Sequence, residues 1–260
     1  MIALVLAAGL GTRFRPATET TPKPLLPFLG RPILHHLFDH LLGQGVDRFV
    51  VNSHHLATKL ESEVGTSWKG VPVSFSREEE ILGTAGAIRR AAERGLLGNG
   101  PFLVVNGDLY TDLPIGPLVE AATRTGTVSA LAVLPNGAPE RETPLWGDDQ
   151  SWLSGIGPVR GAEETGPWLF TGIQVALPAL LERIPPGRSE LARDVLVPSL
   201  AREERVFRLV PSPPGRFWFD LGTPERLAAA EKRVAAHLRG APTSSSPSPT
   251  RRPGSSPSGD

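Results

Sequence analysis

The hydrophobic positions of this chain fall into short runs separated by polar, glycine- and proline-bearing segments. Ile2 to Leu6 is continuously apolar, too short for a helix and suited to a strand buried on both faces. Phe49 to Asn52, Val71 to Phe75, Phe102 to Val105 and Val128 to Leu134 repeat the signal. Between them, Ile33, Leu34, Leu37, Phe38, Leu41 and Leu42 recur at helical spacing, and Ala85 to Ala92 and Leu118 to Ala122 predict two further helices. Strands that alternate with helices predict βαβ units and a parallel sheet covered on both sides.

The rhythm lapses from Pro135 to Pro167, which reads as an excursion from the sheet, a lid or substrate-facing subregion. Regular structure returns over Trp168 to Ala176, followed by a helix through Leu191 to Leu200 and a strand at Val206 to Val210. The last helix is signalled by Thr223 as N-cap and Pro224 at the first helical position, with Leu227, Ala230, Val234 and Leu238 on one face. Beyond Gly240 the chain is rich in serine and proline. That composition cannot bury a core, so residues 240–260 are expected to form a disordered tail on a domain spanning residues 1–239.

Composition narrows the class. A chain of 260 residues with 40% apolar content suits one substantial domain. Its formal net charge of zero points to no nucleic-acid or membrane-surface partner. The absence of cysteine excludes disulfides, thiolate zinc sites and cysteine nucleophiles, and accords with a cytoplasmic protein. The opening apolar run lacks a basic flank, unlike a signal peptide, and no segment approaches the roughly 20 apolar residues of a membrane span.

Four motifs carry candidate chemistry. The first strand runs into Gly9-Leu10-Gly11-Thr12-Arg13, a loop of small residues whose backbone N–H groups can approach phosphate oxygens. It is not a dinucleotide fingerprint, because Phe14 stands where a third glycine belongs and the second strand ends in Asn52 rather than an acid. Arg13 and Arg15 add planar cationic donors. Next, Lys23 lies between Pro22 and Pro24, which predict an extended backbone presenting a point charge at a defined place. Third, Val104-Val105-Asn106-Gly107-Asp108 is a buried strand ending in a carboxylate, placed where ligands sit in open α/β sheets. Fourth, Asp220 in Trp218-Phe219-Asp220-Leu221-Gly222 stands between an aromatic strand and the last helix. Two carboxylates beside phosphates suit Mg²⁺. The histidine pairs 35/36 and 54/55 show no metal-ligand spacing, and no serine–histidine–aspartate set is evident.

Taken in order, LAAGLGTRFRP, TPKPLLP, LGTAGAI, VVNGDLYTD, FTGI and WFDLGTPERL resemble the sugar-1-phosphate nucleotidyltransferases, over nearly the whole of residues 1–239. The resemblance implies a single Rossmann-like, three-layer α/β domain with a mostly parallel mixed sheet and no C-terminal β-helix. It implies an enzyme in which a sugar 1-phosphate attacks the α-phosphorus of an NTP, giving an NDP-sugar and pyrophosphate. Ala7 and Ala8 would then lie by the nucleoside, with Gly9, Gly11 and Thr12 cradling the triphosphate. Arg13 would stabilise the departing pyrophosphate, and Lys23 would hold the two reacting phosphates together. Asp108 and Asp220 would ligate Mg²⁺. Glu78 would meet the base, with Gly83 and Thr84 beside it, and Asn106, Gly147, Thr171 and Gly172 would wall the sugar.

Substrate expectations divide. The short chain, VNGD and FTGI are similar to N-acetylmuramate 1-phosphate uridylyltransferases, which makes UTP with N-acetylmuramate 1-phosphate or a similar hexose 1-phosphate the first expectation. The LGTAG wording is similar to mannose-1-phosphate guanylyltransferases, which makes GTP the alternative. A carboxylate at Glu78 suits guanine N1–H and N2–H, and it can also take the N3–H of uracil. The family's frequent Glu-Lys-Pro, whose glutamate reads sugar hydroxyls, is absent. A non-catalytic sugar-nucleotide sensor is the remaining alternative.

Overall fold

In the computed structural model, which describes residues 1–138, 140, 142–158, 164–211 and 217–239, the apolar runs become strands of one large sheet. The chain opens with β1 (Ile2–Leu6), a small ribbon of β2 (Pro27–Phe28) and β3 (Arg31–Pro32), and helix α1 (Ile33–Gly43). It continues through β4 (Arg48–Ser53), α2 (Ala57–Val64), β5 (Ser67–Trp68), β6 (Val71–Arg77) and α3 (Gly83–Glu93). The middle holds β7 (Phe102–Asn106), β8 (Leu109–Thr111), α4 (Gly116–Thr125), β9 (Ser129–Pro135), β10 (Leu145–Gly147), β11 (Leu153–Ile156) and β12 (Thr165–Ala176). It closes with α5 (Pro178–Leu181), a π-helical turn at Leu191–Leu196, α6 (Val197–Ala201), β13 (Val206–Leu209), β14 (Trp218–Asp220) and α7 (Pro224–Leu238).

The sheet is mixed. β7, β1, β4 and β6 run parallel side by side, and β13 runs parallel to β9. Antiparallel pairing enters with β12, which lies against both β7 and β9, and with the short strands β10, β11 and β5. The parallel strands alternate their side chains between two cores. Ala3, Val5, Phe49 and Val51 pack with Leu37 and Leu41 of α1 on one face. Leu4, Val50 and Val104 pack with Ile88 of α3 and Val195 of the π turn on the other. Helices on both faces make the three layers. A third cluster, including Phe14, Phe28, Leu221 and Val234, seats α7 over the start of the chain.

The order β6-β4-β1-β7 has a consequence for function. The chain builds outward from β1 through β4 and β6, then returns to lay β7 on the other side of β1. Adjacent loops leaving β1 and β7 therefore diverge and open a crevice at their carboxyl ends.

Two expectations change. Pro135 to Pro167 is not wholly an excursion, since β10 and β11 extend the main sheet, with Leu145 opposite Trp168 and Gly147 opposite Thr165. Strands of three and four residues are too short to show an alternating pattern. The helix expected over Leu191 to Leu200 forms as a π turn running into α6, close to the single segment expected. The last helix follows its signals, with Thr223 Oγ1 accepting from Arg226 N. The expected tail lies outside the described residues. Among those described, no helix is long and apolar enough to cross a membrane.

Candidate active site

The loop after β1 owes its shape to a left-handed residue and one anchor. Gly11 has φ +62°, and a Cβ there would lie 2.8 Å from Thr18 Cγ2, so only glycine fits without strain. Its carbonyl accepts from Phe14 N at 2.9 Å and from Thr18 Oγ1 at 2.8 Å. Phe14 is buried in the cluster beneath α7, which explains an aromatic residue where a dinucleotide loop carries glycine.

This loop forms one wall of a cavity of about 350 Å³ at the carboxyl ends of β1 and β7. Ala7, Ala8, Gly9, Gly11, Thr12 and Arg13 line it from the first loop, Lys23 from the proline-flanked turn, and Asn106 and Asp108 from the end of β7. Glu78, Gly83 and Thr84 also line it. Arg13 is exposed on the 3-10 turn Thr12–Phe14. Arg15 is exposed and does not line this cavity. Lys23 begins a 3-10 turn, Lys23–Leu25, instead of lying in extended chain; the flanking Pro22 and Leu26 keep extended ψ values of 137° and 141°.

Lys23 Nζ forms a close ion pair with Asp108 Oδ2, and only 14% of its side-chain surface is exposed. Asp220 arrives from far along the chain. β14 pairs with β8, setting Asp220 opposite Leu109, and Leu221 N donates to the Asp108 carbonyl at 2.9 Å. Burial pushes the Asp220 carboxyl above its ordinary value, and the neighbouring Asp108 charge pushes it further. Arg226 Nη1 donates to Asp220 Oδ2 at 2.6 Å, while Oδ1 is buried with no hydrogen-bond partner among the described residues. An orphaned carboxylate oxygen calls for a cation or donor. The pair of carboxylates fits Mg²⁺, which takes one or two protein carboxylates and completes its shell with phosphate oxygens and water.

Glu78 is 4% exposed. Asn52 Nδ2 donates to its Oε1 at 2.7 Å and Leu82 N to its Oε2 at 3.0 Å. Asn52 Oδ1 in turn accepts from Ala7 N, so one buried amide ties the loop after β1 to the Glu78 carboxylate. Asn52, Arg226 and Glu190 are the participants that sequence reasoning missed. A polar residue ending a buried strand was the available signal for Asn52, whereas the other two are assembled by long-range packing.

A second cavity of about 270 Å³ adjoins the first, sharing Leu6, Thr84, Asn106 and Glu190 with it. Gly172 lines this inner cavity. Gly147 and Thr171, expected in the sugar wall, line neither of these two cavities. Gly147 lies against the Arg208 guanidinium, which stacks over Trp168. Thr171 is 1% exposed, its Oγ1 donating to the Ala132 carbonyl at 2.8 Å. The histidines serve as ties: His54 Nδ1 lies 3.0 Å from the Glu78 carbonyl and His55 Nε2 2.8 Å from the Thr18 carbonyl.

The family model for nucleotidyl transferases matches residues 2–142, the span that holds the loop after β1 and the end of β7. The chain belongs to the nucleotidyl transferase family. It is 30% identical over 233 residues to the mannose-1-phosphate guanylyltransferase catalytic subunit beta of Xenopus tropicalis, covering 86% of this chain and 62% of that protein. The Drosophila melanogaster protein of the same name is 29% identical over 225 residues, with 86% and 60% covered. This nucleotidyl transferase thus spans about three fifths of the curated relatives it matches. Among solved structures, HddC from Yersinia pseudotuberculosis, complexed with GMP-PN, superposes with a TM-score of 0.73 at 25% identity, over 90% of this chain and 99% of that one. A UDP-glucose pyrophosphorylase complexed with UDP-glucose shares the fold, with a TM-score of 0.74 at 20% identity over 91% and 98% of the two chains.

Proposed function

We propose that this nucleotidyl transferase condenses GTP with a neutral hexose 1-phosphate, mannose 1-phosphate being the model substrate, to give a GDP-sugar and pyrophosphate. The observation that carries the base assignment is the buried Glu78 carboxylate facing the cavity, held by Asn52 and Leu82 N. A fixed carboxylate accepts hydrogen bonds and donates none. Guanine alone among the common bases presents two adjacent donors, N1–H and N2–H. Uracil offers one donor flanked by two carbonyl oxygens, which a carboxylate repels. The names of the curated relatives support the same base, in place of the UTP suggested by the motif wording. The sugar assignment rests on the inner cavity: among the described residues no basic side chain lines it, so none of these offers a partner to the carboxylate of an N-acetylmuramate.

The chemistry follows from positioning. An oxygen of the sugar phosphate attacks the α-phosphorus in line; the bond from that phosphorus to the bridging oxygen breaks, and its electron pair leaves with pyrophosphate. The protein supplies no nucleophile, and its contribution is alignment and charge neutralisation. Gly9, Gly11 and Thr12 cradle the β- and γ-phosphates, and Arg13 sits at the mouth to meet the departing charge. Lys23, held by Asp108, stands between the sugar phosphate and the α-phosphate. Asp108 and Asp220 would hold Mg²⁺, which when bound neutralises phosphate oxygens during transfer.

Pyrophosphate release measured across the four NTPs and a panel of sugar 1-phosphates tests this reading. GTP with a neutral hexose 1-phosphate should be the preferred pair, and Asp108→Asn should reduce its turnover by about 10²-fold or more with an unchanged circular dichroism spectrum. A preference for UTP would overturn the base assignment, near-normal turnover in Asp108→Asn would overturn the metal site, and tight nucleotide binding without pyrophosphate release would make the protein a sensor.

A further inference from the structure

Glu190 stands where the two cavities meet. It precedes the π-helical turn at Leu191–Leu196, and it lines both the nucleotide cavity and the inner one. Its carboxylate is held from one side only. Thr84 Oγ1 donates to Oε2 at 3.0 Å and Thr84 N donates to the same oxygen at 3.2 Å. The Thr84 hydroxyl also accepts from Leu191 N at 2.8 Å, and Asp194 Oδ2 accepts from Glu190 N at 2.7 Å. Backbone and side chain are therefore both pinned. Oε1 lies over Gly83, where a Cβ would come within 2.7 Å of it, and among the described residues it has no hydrogen-bond donor of its own. The missing side chain at Gly83 leaves this oxygen uncovered towards the cavity.

A carboxylate oriented through one oxygen, with the other free at a cavity junction, is an acceptor awaiting a donor. Among the described residues no lysine, arginine or histidine lines the inner cavity, so a hydroxyl of the ligand is the donor that suits this oxygen. The cavity wall beyond is largely apolar, with Leu131, Leu145, Ile156, Phe170 and Leu196, as a sugar's C–H faces require. We propose that Glu190 is a specificity-determining residue that accepts a hydrogen bond from a hydroxyl of the sugar in the inner cavity, so that this chain reads sugar hydroxyls from a helix entrance and needs no Glu-Lys-Pro segment. The proposal rests on the reading of the cavity as the site of sugar-nucleotide synthesis, and it disfavours sugars that place an anionic group beside Glu190.

The test compares mannose 1-phosphate with its 2-, 3-, 4- and 6-deoxy analogues in the intact chain and in Glu190→Ala and Glu190→Gln. A hydrogen bond to a charged acceptor predicts that one deoxy analogue loses on the order of tenfold in kcat/KM with the unaltered protein. In Glu190→Ala that analogue and mannose 1-phosphate should become equal, with KM for the sugar phosphate raised on the order of tenfold and KM for GTP unchanged. Glu190→Gln retains an oxygen for Thr84 and should fall between. A purely structural residue would lower all five sugars alike, and that result would overturn the proposal. A rise in KM for GTP, with discrimination against 2′- or 3′-deoxy-GTP lost instead, would assign Glu190 to the ribose and also overturn it. Calorimetric binding of mannose 1-phosphate beside a non-hydrolysable GTP analogue repeats the comparison without turnover. Binding that is insensitive to Glu190 defeats this inference alone, and no binding or turnover of any sugar phosphate defeats the proposed function with it.

Discussion

Gly83 shows how much one residue can decide. Its φ is +74°, and a Cβ would lie 2.5 Å from the Ser189 carbonyl oxygen, a backbone atom that cannot swing aside. Gly83→Ala is expected to destabilise the protein by about 2 kcal/mol or more, measured by urea denaturation, and to cover Glu190 at the same time. The site residues legible in the sequence are those whose backbone itself does the work. Small residues in the loop after β1 and an aspartate at the end of β7 announce themselves because strand ends and glycines are local signals. Gly147 carries less information for the complementary reason: a glycine in a strand gives the same signal whether it faces a ligand or, as here, an arginine.

At the level of elements, the pieces that position the site are joined by polar ties between distant segments. Asp39 of α1 accepts from Arg31 at 2.8 Å and from Trp68 Nε1 at 3.0 Å, and pairs with Lys69 at 2.7 Å, fastening α1 to the β5–β6 hairpin. Burial pushes its carboxyl up, but these donors outweigh it and hold the value at about 2. A carboxyl depressed by folding adds stability above its unfolded value of 3.8 and loses it as pH falls towards about 2. Asp39→Asn should therefore lower stability by about 1 kcal/mol at neutral pH, after allowance for solvent screening. The deficit should shrink between pH 4 and pH 2, which thermal unfolding followed over that range would reveal. β12 is the other decisive element. Residues Ile173–Ala176 pair with β7, whereas its first residues pair with β10, and the register shifts between Phe170 and Gln174. Gly172 lies within that shift at φ +78°, against the Asn106 amide, so the strand changes partner where the inner cavity opens.

For the molecule as a whole, the proposed ligands bind the folded chain across loops from both ends of the sequence. GTP with Mg²⁺ at a hundred times its dissociation constant should stabilise the fold by about 2.7 kcal/mol, raising the unfolding temperature by roughly 5–10 °C for a domain of this size. The rise should be much smaller in Asp108→Asn, and an equal rise in both proteins would separate nucleotide binding from the carboxylates. The α/β class, the strand series, the last helix and the glycine-bearing loop after β1 were all determined by the sequence alone, because apolar runs, caps and glycine-rich turns are local properties of a chain. Pairings were not. That β10 and β11 extend the sheet, that β14 carries Asp220 to Asp108 across more than a hundred residues, and that Glu190 reaches Thr84 follow from long-range contacts with no local pattern to announce them. The tertiary structure decided which polar residues face one another across the crevice, since burial and the need to satisfy each buried donor and acceptor act only once the distant segments are packed together.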